Sequence, residues 1–182
     1  MKLVPTALPD VLLVEPRFFA DDRGHFFEVF HAERFAEQGL DLAFVQLNQS
    51  RSRRGTVRGL HYQVRRPQGK LVRAVRGAVW DVAVDLRRGS PHFGRWVGAE
   101  LSAENARQLW IPPGFAHGFL ALTDDAEVVY ACTDLWVPEY DRAVRWDDPT
   151  LAVAWPLDGV GAPLLSPKDA AAPLLGDAET YD

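Results

Sequence analysis

Disulfides, cysteine-bound metal clusters and membrane spans are all closed to this chain. Its 182 residues include a single cysteine, Cys132, so neither an intrachain disulfide framework nor a cysteine-based zinc cluster can form. Cys132 lies in a strand-like run and reads as a small buried thiol with no chemistry assigned to it. No apolar run approaches the ~20 residues that cross a bilayer. The N-terminus also lacks the basic, apolar, small-residue order of a signal peptide, and we expect a cytoplasmic protein. Positive charge is scarce overall: 20 Lys and Arg against 25 Asp and Glu leave a net charge of −5, which argues against broad nucleic-acid binding. Internal repeats, linkers and long amphipathic helical patterns are missing too. Residues 1–182 therefore read as one domain.

What remains is a composition of 47% hydrophobic and 25% charged residues, enough for a sizeable core. Short apolar or alternating runs bounded by turn residues recur along the chain. Val11 to Val14, His25 to Phe30, Phe44 to Ser50, Lys70 to Arg76 and Ala78 to Leu86 read as strands, as do Ser90 to Leu101, Trp110 to Leu122 and Glu127 to Thr133. Val144 to Trp146 and Ala152 to Trp155 read as short closing strands. His31 to Gln38 suits two turns of helix stopped by Gly39. Ser166-Pro167-Lys168-Asp169 reads as an N-cap, a proline at N1 and an acid at N3, opening a helix within a tail of about 166–182. Many short strands with few helices predict an all-β antiparallel sandwich or barrel.

The chemistry concentrates in Arg58-Gly59-Leu60-His61-Tyr62-Gln63 and Gln68-Gly69-Lys70. An imidazole near neutrality, a planar guanidinium and a compact ammonium stand close together among aromatic and β-branched residues. Strict alternation sets Arg58 and His61 on opposite faces of a strand; a bulge at Gly59 would bring them to one face. The arginines crowd between Arg51 and Arg88, a local basic patch that suits a small anion such as a diphosphate. Gln46 and Asn48 share one face of a strand and present two amides.

Ile111-Pro112-Pro113-Gly114-Phe115-Ala116-His117-Gly118 has the Pro-x-Gly-x-x-His spacing of the second cupin motif. The first motif of metal-binding cupins supplies His-x-His, whereas here His61-Tyr62-Gln63 replaces the second imidazole by an amide, a poor divalent-metal site. Further segments narrow the resemblance: Asp22-Arg23-Gly24 with Phe26 and Glu28, Gln68-Gly69-Lys70-Leu71-Val72, Asp81-Val82-Ala83-Val84-Asp85-Leu86-Arg87 and Trp146-Asp147-Asp148-Pro149. From about Val11 to Asp169 the chain resembles the dTDP-4-dehydrorhamnose 3,5-epimerase family.

The resemblance implies a cupin-type jelly roll, with one short helix near the C-terminus, that inverts C3 and C5 of dTDP-4-dehydro-6-deoxy-D-glucose without a cofactor or metal. It implies His61 as base, Asp169 as its orienting carboxylate, Tyr130 as acid on the opposite face, and Lys70 with His117 near the keto oxygen. Arg23, Phe26, Glu28, Gln46, Asn48, Arg58 and Lys168 would hold the nucleotide and sugar. It also implies a homodimer in which N-terminal strands, within about residues 1–50, cross over, so that Arg23 or Phe26 completes the neighbouring site. Trp136 stands where the family commonly has tyrosine and Asp141 where glutamate is usual, and both bear on how the substrate sits. Relatives in antibiotic-sugar pathways invert only one carbon with much the same residues, so a single C3 or C5 epimerase is the alternative. A metal-dependent cupin and a non-catalytic binding module rank below it.

Overall fold

A computed structural model describes residues 1–182. Thirteen strands and two short α-helices follow in chain order. The strands are β1 (Lys2–Pro5), β2 (Leu12–Glu15), β3 (Phe19–Asp21), β4 (Gly24–Phe26), β5 (Gln46–Ser52), β6 (Val57–Gln63), β7 (Lys70–Arg76), β8 (Ala78–Asp85), β9 (Trp96–Ser102), β10 (Gln108–Ile111), β11 (Phe115–Ala121), β12 (Ala126–Cys132) and β13 (Asp141–Ala143). The helices are α1 (Ala32–Ala36) and α2 (Pro167–Ala170). Eleven strands build two antiparallel sheets: β1-β2-β10-β7-β12-β5, and β13-β6-β11-β8-β9, with β3 and β4 forming a separate hairpin. The interleaved order, in which chain neighbours such as β7 and β8 belong to different sheets, is that of a jelly roll. No helix is long and apolar enough to cross a membrane.

Period-two burial aims each strand. On β5 the polar Gln46, Asn48, Ser50 and Ser52 are the less exposed residues, while Leu47, Gln49 and Arg51 face outward. On β8 both faces are buried, because Ala83 and Val79 join the cluster between the sheets with Val72, Leu109, Phe115, Phe119 and Val128. Val82, Val84 and Leu86 look the other way and pack under Leu151, Leu175 and Ala178 of the C-terminal segment. A third cluster seats Phe35 of α1 on Val14, Leu71 and Trp110, covering part of the outer face of the six-stranded sheet.

Several boundaries differ from the sequence reading. Gly114, at φ +94, makes Pro112-Pro113-Gly114 a turn, so the run from Trp110 to Leu122 is two strands in different sheets. The run from Ser90 becomes a strand only at Trp96, because Ser90 to Arg95 is closed by its own turn bonds, Arg95 N–H donating to His92 O among them. The strand expected over His25 to Phe30 ends at Phe26, where the pairing with Phe19 runs out. The two closing strands are replaced by β13, three residues earlier; Val144 still exchanges backbone bonds with Leu60, while Ala152 to Trp155 makes no ladder.

The bulge expected at Gly59 is present. Arg58 pairs with Phe119 and His61 with His117, so Gly59 and Leu60 on β6 oppose Gly118 alone on β11. Gly59 stands at φ +109, and its peptide to Leu60 is cis. The strands approach so closely that a Cβ on Gly118 would lie 2.6 Å from Arg58 O and one on Gly59 2.6 Å from Gly118 Cα. Gly118→Ala therefore has to spread β6 from β11 and is expected to destabilise the protein by about 1–3 kcal/mol. Gly89→Ala, whose Cβ meets nothing within 4 Å, should stay within about 0.5 kcal/mol. Urea midpoints of the two variants check this; equal midpoints would contradict the close approach.

Candidate active site

Between the sheets, at the end not filled by the apolar cluster, the inner faces turn polar and enclose a cavity of about 440 Å³. The six-stranded sheet contributes Gln46, Asn48 and Ser50 from β5, Lys70 from β7 and Tyr130 from β12. The pairing aligns them in rows, Lys70 beside Cys132 beside Gln46, and Tyr130 beside Asn48. The five-stranded sheet contributes Arg58, His61 and Tyr62 from β6 with His117, Gly118 and Phe119 from β11. Tyr130 on one wall and His117 on the other have ring centroids 6.2 Å apart. Gln68, Trp136, Asp141 and Lys168 finish the rim.

His61 and Asp169 come together from positions 108 residues apart, with His61 Nε2 at 2.5 Å from Asp169 Oδ1. Asp169 is almost fully buried and sits in the first turn of α2. Ser166 caps that turn by accepting from the Asp169 N–H at 3.1 Å, and its hydroxyl donates to Asp169 Oδ2 at 2.8 Å. The cap reading and the His61 partner reading of Asp169 are thus both realised. Burial pulls the Asp169 carboxyl upward, but the His61 hydrogen bond and charge, the Ser166 hydroxyl and the Gly59 N–H outweigh it. Its net position is below the ordinary 3.8. With a carboxylate at Nε2, that nitrogen carries the proton and Nδ1 keeps the free lone pair.

A second pair stands beside the first. His117, opposite His61 in the β6–β11 ladder, has Nε2 at 2.8 Å from Oδ1 of the fully buried Asp81. The sequence reading missed Asp81 as a site residue, although its alternation opposite Val82 and Val84 on β8 was visible. Ser50, Tyr62, Gln68 and Phe119 were missed as well. Ser50 extends the Gln46 and Asn48 row by one more step of two.

Lys70 is buried and its Nζ has one long bond, to His61 O at 3.4 Å. Desolvation lowers its proton affinity, offset in part by Cys132, Asp141 and Asp81. Tyr130 is shifted upward, chiefly by burial, with Cys132 and Asp141 adding to it and Arg58 opposing. Arg58 is oriented by Nε donating to Ser52 Oγ at 3.0 Å and Nη2 to Arg51 O at 3.2 Å. Trp136 N–H donates to Gln46 Oε1, Gln46 Nε2 donates to Asn48 Oδ1, and Asn48 Nδ2 donates to Cys132 Sγ at 3.6 Å, so the two amides form a chain along the cavity wall. Gln63 is spent elsewhere: its amide bonds Arg66 O, Leu135 O and Val137 N–H. Lys168 pairs with Asp141 at the rim.

Three expected ligands lie away from this cavity. Arg23, its side chain 90% exposed, pairs with Asp21 in the β3–β4 hairpin. Phe26 is 69% exposed on the same hairpin, and Glu28 pairs with Arg34.

The sequence pattern of the dTDP-4-dehydrorhamnose 3,5-epimerase family matches residues 5–177. The dTDP-4-dehydrorhamnose 3,5-epimerase of Pseudomonas aeruginosa is 57% identical over 182 residues, covering all of this chain and 99% of that protein. The crystal structure of dTDP-6-deoxy-D-glucose-3,5-epimerase from Legionella pneumophila, in complex with dTDP-4-keto-L-rhamnose, has a TM-score of 0.94 at 48% identity. It spans 100% of this chain and 98% of that one. A dTDP-4-dehydrorhamnose 3-epimerase of Streptomyces niveus is 43% identical over 180 residues, 98% of this chain and 86% of that protein. With full-length identity at this level and the fold shared throughout, the chain belongs to the dTDP-4-dehydrorhamnose 3,5-epimerase family of isomerases.

Proposed function

We propose that the protein converts dTDP-4-dehydro-6-deoxy-D-glucose to dTDP-4-dehydro-L-rhamnose by inverting C3 and C5. The observation that carries this reading is a half-buried histidine, backed by a buried aspartate, on one cavity wall facing a lysine and a tyrosine on the other. Both carbons flank the C4 ketone. His61 Nδ1 takes the proton from C3 or C5, the C–H electron pair moves into the ring, and the carbonyl π pair moves onto the C4 oxygen as an enolate. Lys70 stabilises that oxyanion with its ammonium, and His117, held by Asp81, lies close to the same oxygen. Tyr130 returns a proton from the opposite face, which inverts the carbon and restores the ketone. In the gluco ring both hydrogens project from one face, so one base serves both steps once His61 has given its first proton to water and Tyr130 has taken one back.

The nucleotide anchors the ring. Arg58 offers a fixed positive fork to the diphosphate, the N–H groups of Gln46 and Asn48 meet pyrimidine carbonyls, and Trp136 offers a stacking surface. Arg23, Phe26 and Glu28 act in a second copy of the chain: the exposed hairpin bearing Arg23 and Phe26, with Glu28 two residues beyond it, supports a homodimer in which each copy completes the other's site. Inversion at one carbon alone is the second reading, favoured by the 43% identity to the Streptomyces niveus 3-epimerase.

In deuterated water, label is expected at both C3 and C5 with inversion at each; stable label at one carbon selects the second reading. His61→Asn should slow this exchange about 10²- to 10⁴-fold. Lys70→Met should lower kcat about 10²-fold with little change in KM. Because Asp169 is depressed in the folded state, its stabilising contribution is full above 3.8 and is lost as pH falls through the lower folded value. Asp169→Asn should thus lower the urea midpoint clearly at about pH 6 and much less at about pH 2; an equal gap at both would contradict the assignment. Finally, inactive Arg23→Ala and His61→Asn chains, unfolded and refolded together, should regain roughly a quarter of wild-type activity if sites are shared across a dimer.

A further inference from the structure

Trp136 sits on no strand. It falls between β12, which ends at Cys132, and β13, which begins at Asp141, where no ladder runs. Its segment is nonetheless tied down by side chains: three consecutive N–H groups donate to side-chain oxygens, Leu135 to Asp134 Oδ1, Trp136 to Gln46 Oε1 and Val137 to Gln63 Oε1. The loop between β6 and β7 is stitched to the same segment. Gln68 Nε2 donates to Asp134 O at 2.8 Å, the Gly69 N–H donates to Thr133 Oγ1 and the Thr133 N–H to Gly69 O, and Arg66 pairs with Asp134.

Gln63, at the end of β6, bonds both loops at once. It is buried and stands two residues beyond His61, on the same side of the strand. One amide hydrogen goes to Arg66 O at 2.8 Å in the first loop, the other to Leu135 O at 3.1 Å in the second, and Oε1 takes the Val137 N–H. A primary amide supplies two donors and an acceptor together. A carboxylate here would face two carbonyl oxygens, and a thioether would leave three backbone groups unmet. The bonds to Leu135 and Val137 bracket Trp136, which is 51% exposed at the cavity rim, whereas Gln63 itself does not line the cavity. We propose that Gln63 is a positioning residue for nucleotide binding: from the strand that bears His61 it fixes the backbone on either side of Trp136 and so sets where the indole meets the base. This deepens the reading of Trp136 as the stacking surface and rests on it. Because Gln63 acts on the ligand only through Trp136, its effect falls on binding and not on proton transfer.

The test is a double-mutant cycle on Gln63→Met and Trp136→Ala. Dissociation constants for dTDP are measured calorimetrically, kcat and KM on the 4-keto sugar nucleotide, and stability by urea midpoint. Trp136→Ala is expected to weaken dTDP binding about tenfold, the loss of one stacked base. Gln63→Met should weaken it about fivefold and raise KM in proportion, with kcat at saturation within about twofold of wild type. The double variant should bind dTDP no more weakly than Trp136→Ala alone, since the amide has nothing left to position. A role confined to knitting the loops together predicts a lower urea midpoint in Gln63→Met with dTDP affinity unchanged, and that result overturns the proposal. So does a double variant in which the two losses multiply, because Gln63 would then act independently of the indole. If Gln63→Met does not fold, the same cycle is run on Gln63→Asn, whose amide is one methylene short of the two loops, and is read by the same criteria. Should Trp136→Ala bind dTDP as tightly as wild type, the stacking reading itself fails and the proposal falls with it; this outcome is told apart by the single tryptophan variant, whatever Gln63→Met does.

Discussion

The contact between the His61 ring and the Asp169 carboxylate is the constraint on which the cavity depends. It joins the centre of a sheet strand to a single helical turn 108 residues later, at 2.5 Å. A carboxylate this deeply buried is unfavourable unless its oxygens are satisfied, and here Oδ1 meets imidazole while Oδ2 accepts from the Ser166 hydroxyl. The same satisfaction fixes the ring: with Nε2 held, only Nδ1 is left to accept a proton. Local capping, tertiary docking and the tautomer of the imidazole are consequences of one arrangement of atoms.

The bulge on β6 is the second requirement. A regular strand would send Arg58 and His61 to opposite faces, one into the cavity and one into the C-terminal cover. Two residues opposing Gly118 shift the phase by one, and both side chains line the same space. The close approach this demands explains glycine on each strand, since a Cβ at either position would meet backbone rather than a movable side chain.

Much of this was legible in the sequence because it follows from period and spacing. The inward row of Gln46 and Asn48, the two separate strands β7 and β8 on either side of Gly77, the bulge glycine and the Ser166 cap are local patterns, and the strands they predict are present. What was not legible depends on which sheet a strand joins. Val144 to Trp146 has strand-like composition, but the ladder is taken by Asp141–Ala143, where β6 offers free partners. Asp81 reads as a solvent-facing residue until β8 is covered on both sides. Its pairing with His117 comes from β11 lying next to β8, a neighbour relation that no local pattern encodes. Likewise the hairpin bearing Arg23 and Phe26 carries family motifs yet stands apart from the cavity of its own chain.

Lys70 illustrates how such a cavity favours a reacting state over a resting one. Its ammonium is stripped of water and given only a 3.4 Å bond to a carbonyl, with carboxylates at Asp141 and Asp81 acting at a distance. An unmet donor of this kind is costly in the free protein, and a neutral ketone oxygen relieves it only weakly. In the proposed reaction, proton loss from C3 or C5 would move a full negative charge onto that oxygen and turn the interaction into one between opposite charges in a site with little water. The stabilisation thus grows along the reaction coordinate, which is the condition for raising turnover rather than merely tightening binding. Tyr130, kept protonated by burial, suits the complementary need of the proposed reaction: it would hold its proton until a carbanion-like carbon lay beneath it, and it stands on the wall opposite His61.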